Sequence, residues 1–67
     1  MTTLGKLQAH LHHIATEYCL QDDDVSFDIF ANGQWQIVLY QHHLIEPRTI
    51  VAYGDDYESL SEYLANV

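Results

Sequence analysis

The chain has 67 residues, 48% of them hydrophobic, and sets ten Asp and Glu against two Lys and Arg, for a formal charge of −8. That length allows one small domain over residues 1–67 with a modest core, and the apolar content excludes a disordered chain. The charge excludes direct nucleic-acid binding, because phosphate contact needs clustered Lys and Arg, and it disfavours anionic membrane surfaces.

Cys19 is the sole cysteine, so no internal disulfide can form. A lone thiol fits a reducing compartment. The opening MTTLGKLQAHLHH has no continuous apolar stretch of the kind a signal peptide needs. The longest apolar runs, 37–40 and 50–53, are far short of a membrane span. The location expected is cytoplasmic.

Residues 3–20 read as an amphipathic helix. Leu4, Leu7, Leu11, Ile14 and Tyr18 recur at spacings of three and four and form one stripe. Thr2 or Thr3 can cap its start. The helix should stop near Leu20, where Asp22, Asp23 and Asp24 follow. Negative charge at a helix C-terminus opposes the macrodipole, so helix stability does not explain the three aspartates.

Residues 25–31 and 35–41 read as paired strands joined at Asn32-Gly33. A strict two-residue turn pairs Ala31 with Gln34 and mixes the faces. Pairing Ala31 with Trp35 gathers Val25, Phe27, Ile29, Ala31, Trp35, Ile37 and Leu39 on one side. One-sided burial favours that register, with a three-residue loop or a bulge. The other side then carries Ser26, Asp28, Phe30, Gln36, Val38 and Tyr40.

Residues 42–47 form a connection closed by Pro47. Residues 48–53 read as a third strand, apolar on both faces. It adds either Ile50 and Ala52 or Thr49, Val51 and Tyr53 to the second side. A second helix runs from Tyr57 to about Asn66, with Asp55 or Asp56 as its N-cap, and Asp55 and Glu58 have capping-box spacing. Its inner stripe is Tyr57, Leu60, Leu64 and Val67; Glu58 and Glu62 lie outside.

The fold expected is α+β in the order α-β-β-β-α, a three-stranded antiparallel meander with two helices packed on one face. Double-stranded RNA-binding domains share this order, so the chain resembles them in topology. Where their second helix starts with basic residues, this chain has Asp55 and Asp56, so the resemblance implies no RNA binding.

Little in the sequence points to catalysis. The three glycines are isolated and form no phosphate loop. Cys19 lies near a helix C-terminus beside aspartates, without the cation or helix N-terminus that activates a catalytic thiol, so it reads as a small semi-buried apolar residue. So short a chain has little material for both a core and a cleft. No enzyme and no cofactor are expected. His10, His13 and Glu17 share about 60° of one helix face and are the only metal-ligand candidates. A fourth ligand would have to come from His12, His42, His43 or another chain, so a polar helix face is the favoured reading.

The function expected is a non-enzymatic acidic module that binds a basic protein surface. Its sharper form is a nucleic-acid mimic that occupies the groove of a nucleic-acid-binding protein, as small acidic phage and mobile-element inhibitors such as anti-CRISPR proteins do. Its contact residues would be Asp22, Asp23, Asp24, Asp28, Asp55, Asp56, Glu58 and Glu62. The alternative is a small accessory or assembly protein that binds a partner, or a second copy as a homodimer, through an open apolar sheet face with Phe30, Val38 and Tyr40. A third reading is a histidine-based metal or pH sensor, since protonating all five histidines would move the formal charge from −8 to −3.

Overall fold

The computed structural model describes residues 3–67. Its elements are α1 (Thr3–Glu17), β1 (Val25–Ile29), β2 (Trp35–Tyr40), β3 (Arg48–Gly54) and α2 (Tyr57–Ala65), with a turn of 3-10 helix at Asp22–Asp24. The strands form an open antiparallel sheet in the order β1-β2-β3. Both helices cover one face of it. Leu7, Ile14 and Ala15 of α1 and Leu60 and Leu64 of α2 bury against Val25, Trp35, Ile37 and Leu39. The expected α+β meander is therefore present.

Helix α1 stops at Glu17, earlier than its apolar stripe suggests. The Leu20 amide donates to the Ala15 carbonyl at 2.8 Å and the Cys19 amide to the Thr16 carbonyl at 3.2 Å. These two bonds make a Schellman ending, whose middle residue is left-handed and usually glycine. Here it is Cys19, at φ 58. The reversal carries Leu20 back onto the core and leaves Cys19 exposed rather than semi-buried. The inner stripe is accordingly Leu7, Leu11, Ile14 and Ala15, while Leu4 and Tyr18 are exposed. Thr3 lies in the first turn of α1, and Thr2 is outside the described residues.

In the hairpin Ile29 pairs with Trp35, two residues along from the expected partner Ala31. The loop is Ala31-Asn32-Gly33, closed by Phe30 N–H to the Gln34 carbonyl (2.8 Å) and Gly33 N–H to the Phe30 carbonyl (2.9 Å). A three-residue hairpin loop needs a left-handed third residue, and Gly33 supplies it at φ 91. The shift is by an even number of residues, so Val25, Phe27, Trp35, Ile37 and Leu39 keep the helix-facing side. Ala31 moves into the loop, and Ile29, at the end of β1, is exposed.

Strand β3 follows neither expected face assignment. Ile37 pairs with Ala52 but Val38 pairs with Ile50, so Val51 is the extra residue of a β-bulge. Val51 and Ala52 both pack on the core. Ile50 and Tyr53, opposite Val38 and Gln36, share the uncovered face.

Helix α2 is capped by Asp56. The Ser59 amide donates to Asp56 Oδ1 at 2.8 Å and the Asp56 amide to Ser59 Oγ at 3.4 Å, so the capping box is Asp56–Ser59 and not Asp55–Glu58. Tyr63 packs on the core beside Leu60 and Leu64, whereas Tyr57 and Val67 are exposed. The buried Trp35 indole N–H reaches both the Asp56 carbonyl and Ser59 Oγ at 3.0 Å, which pins the start of α2 to the sheet.

Two substitutions test these junctions by urea denaturation. A Cβ at Gly54 would overlap the Trp35 indole and the Ser59 hydroxyl, so Gly54→Ala should destabilise by about 2 kcal/mol. Cys19→Gly should stabilise by about 1 kcal/mol by relieving the left-handed residue, and Cys19→Ala should give no gain.

Candidate functional site

The fold divides the acidic residues among several places. Asp22–Asp24 precede β1, whose first residue pairs with Leu39, so the block lies at the end of the sheet that carries the 41–47 loop. Asp55 and Asp56 follow Gly54, which pairs with Trp35, and so lie at the opposite end beside the hairpin loop. Asp28 is on the uncovered face, where Gln36 Nε2 donates to its Oδ2 at 3.0 Å and the Arg48 guanidinium is 4.0 Å away. Glu58 and Glu62 are exposed on α2.

Histidines hold the aspartate block. His12 Nδ1, on α1, is 2.9 Å from Asp22 Oδ1. His42 Nε2, from the loop after β2, is 2.9 Å from Asp24 Oδ1. The Gln21 amide also donates to Asp24 Oδ2 at 3.2 Å. The hydrogen bond from His42, and then that from Gln21, hold the Asp24 carboxyl below its ordinary pKa. So the block is a junction between α1, β1 and the 41–47 loop. Asp23, Asp55, Glu58 and Glu62 make no side-chain hydrogen bond or ion pair among the described residues.

The uncovered sheet face carries the apolar candidates. Val38 is 0% exposed: it floors this face under its neighbours and presents nothing to a partner directly. Tyr40 is half-buried. Phe30 is 48% exposed, Ile50 49% and Tyr53 78%. These three line a hollow of about 360 Å³ together with Gln36 and Asp55. The bulge at Val51 is what brings Ile50 and Tyr53 together, and strict alternation along 48–53 gives no signal for it.

The metal candidates are not brought together. His10 Nε2 lies 2.7 Å from the Tyr63 hydroxyl, with the two rings edge to face at 5.2 Å. His13 Nε2 is 3.8 Å from Glu17 Oε2, and the two imidazoles are 6.5 Å apart. Among the described residues no three His, Cys, Asp or Glu side chains converge on a metal position. Tyr63 is the reason for His10: it draws that ring against the core. Burial, and secondarily the charge of His13, lower the His10 pKa, with Glu17 opposing; burial raises that of Tyr63. No helix among the described residues is long and apolar enough to cross a membrane.

A depressed carboxyl pKa has a definite sign. As pH falls, the unfolded chain takes up the proton first, so the Asp24 contribution is complete above about pH 5 and is lost as pH drops through the unfolded and then the folded value. In His42→Ala, a carboxyl-resolved NMR titration should show the Asp24 midpoint moving up towards that of an ordinary aspartate. An unchanged midpoint would mean that His42 does not hold Asp24.

Compared with protein-family models, curated proteins and solved structures, the chain matches none, so its function has to be argued from these surfaces.

Proposed function

We propose that this chain is a non-enzymatic protein-binding module that docks a basic partner through the open face of its sheet. The observation that carries the reading is the grouping of exposed Phe30, Ile50 and Tyr53 around one hollow, on the side the helices leave bare. Exposed apolar side chains gathered in this way mark contact surfaces. Acid borders the group, since Asp55 lines the hollow and Asp28 lies on the same face.

A partner with an apolar centre ringed by Lys and Arg complements both features. A second copy would set −8 against −8, so like charge opposes the homodimer and favours a different, basic protein. The nucleic-acid-mimic form of the reading rests on Asp23, Asp55, Glu58 and Glu62. Their unengaged carboxylates are free to stand in for phosphates. The reading sets the encounter in the cytoplasm, where a lone thiol stays reduced.

The test is affinity capture from the native host with three baits, the captured protein being identified by mass. The wild-type chain should hold a basic protein at low salt and lose much of it at moderate salt, as exposed charges are screened. Ile50→Ser/Tyr53→Ser should weaken that binding by about tenfold or more. Lys at positions 22, 23 and 24 should leave the apolar contact working. Capture unaffected by the Ile50 and Tyr53 changes would overturn the reading, as would a chain that sediments as a dimer at low salt.

A further inference from the structure

A second hollow, of about 430 Å³, lies between the helices and is lined by Lys6, Ala9, His10 and His13 of α1 and by Leu64 and Val67. Its chemistry is the reverse of the rest of the molecule. The chain has ten acidic residues, yet none of them lines this groove. One of its two permanent cations, Lys6, does so, and forms no ion pair among the described residues. Lys6, His10 and His13 follow one another at spacings of four and three, so a single face of α1 presents three nitrogen-bearing side chains. Ala9, Leu64 and Val67 make the remaining wall apolar.

Tyr63 decides what His10 offers. With its pKa raised by burial, the phenol keeps its proton and shares a hydrogen bond of 2.7 Å with His10 Nε2. Burial lowers the imidazole pKa, and with Nε2 engaged by the phenol only Nδ1 is left to a ligand. Glu17 pairs with His13, at 3.8 Å, and does not line the groove. The one permanent charge in the groove is that of Lys6.

We infer that this groove binds a small amphipathic carboxylate, its head group on Lys6 beside the two histidines and a short aliphatic tail against Ala9, Leu64 and Val67. Its volume is at the lower end for small-molecule sites, which suits a short tail. The site is separate from the open sheet face and does not depend on the partner proposed for that face.

The test is an amide-resolved NMR titration of the full chain with octanoate, octanol and octylamine, which share a tail and differ in the charge of the head. Octanoate should give saturable shifts at Lys6, His10, His13 and Leu64 in the low millimolar range. Octylamine and octanol should bind about tenfold more weakly or not at all. Lys6→Gln should cost octanoate about tenfold in affinity, the scale of one charge-assisted hydrogen bond. Ala9→Glu, which puts an acid into the lining, should abolish binding. Both positions are exposed on a helix, and unchanged amide signals from the sheet would show that each variant is folded. Equal shifts from all three amphiphiles, no saturation with octanoate, or a Lys6→Gln chain of undiminished affinity would each overturn the assignment.

Discussion

The arrangement of this molecule depends on the burial of one side chain, Trp35. Its indole is 2% exposed, and a buried indole N–H without a partner is costly. The partners it finds are the Asp56 carbonyl and Ser59 Oγ, two members of the turn that starts α2. That one donor therefore couples the central strand to the cap of the second helix. Coupling at this distance also needs a bare backbone beneath the ring, which Gly54 provides. The ring continues outward through Phe27 at 6.2 Å and Tyr63 at 5.6 Å, and Tyr63 reaches His10 on α1. Sheet, second helix and first helix are linked through a short chain of aromatic contacts.

Once Trp35 faces the helices, alternation assigns the rest of β2, and the consequence for the other face is less ordinary. Ile37, Val38 and Leu39 are consecutive and all fully or almost fully buried. A central strand is usually buried like this when both faces of the sheet are covered. Here the helices cover one face only, so Val38 is covered by its own neighbours, with Ser26 and Ile50 directly opposite it on the flanking strands. The apolar side chains that surround it are left partly in water. The bulge at Val51 adds to this effect. It turns Val51 and Ala52 inward together and leaves Ile50 and Tyr53 on the outside. The exposed apolar group thus follows from the way a three-stranded sheet covers its own middle strand, and a contacting protein would complete that cover.

Features set by periodicity were legible in the sequence, and features set by a single residue or a distant pairing were not. The element order and the helix-facing set could be read because an even shift of register leaves every side chain on its own face. The same insensitivity let the pairing of Ala31 with Trp35 stand in place of Ile29 with Trp35. The end of α1 was misplaced because its stop is a left-handed Cys19, and cysteine carries no stop signal of the kind glycine does. Adjacent aspartates made the cap of α2 ambiguous between Asp55 and Asp56. Only the position of Ser59 under the indole distinguishes them. For the candidate site, Asp28 and Phe30 were placed on the correct face by alternation. Tyr53 and Ile50 joined them only through the bulge, which no local pattern announces.

The aspartate block shows how far the acidity has an internal use. Three consecutive carboxylates after a helix are unfavourable for that helix, and with two basic residues in the chain no lysine or arginine is at hand to answer them. Histidines take that place: His12 reaches Asp22 from α1, and His42 reaches Asp24 from the loop beyond β2. These contacts span ten and eighteen residues; the first ties α1 to the turn that follows it, and the second requires β1 and β2 to have paired. Asp56 is likewise used, as a helix cap, and Asp28 by Gln36. What remains is Asp23, Glu46, Asp55, Glu58 and Glu62, exposed and unengaged among the described residues. Nothing in the fold requires these five to be acidic. Their charge is felt by whatever approaches and favours a basic surface, whereas the groove beside Lys6 is lined by no acid.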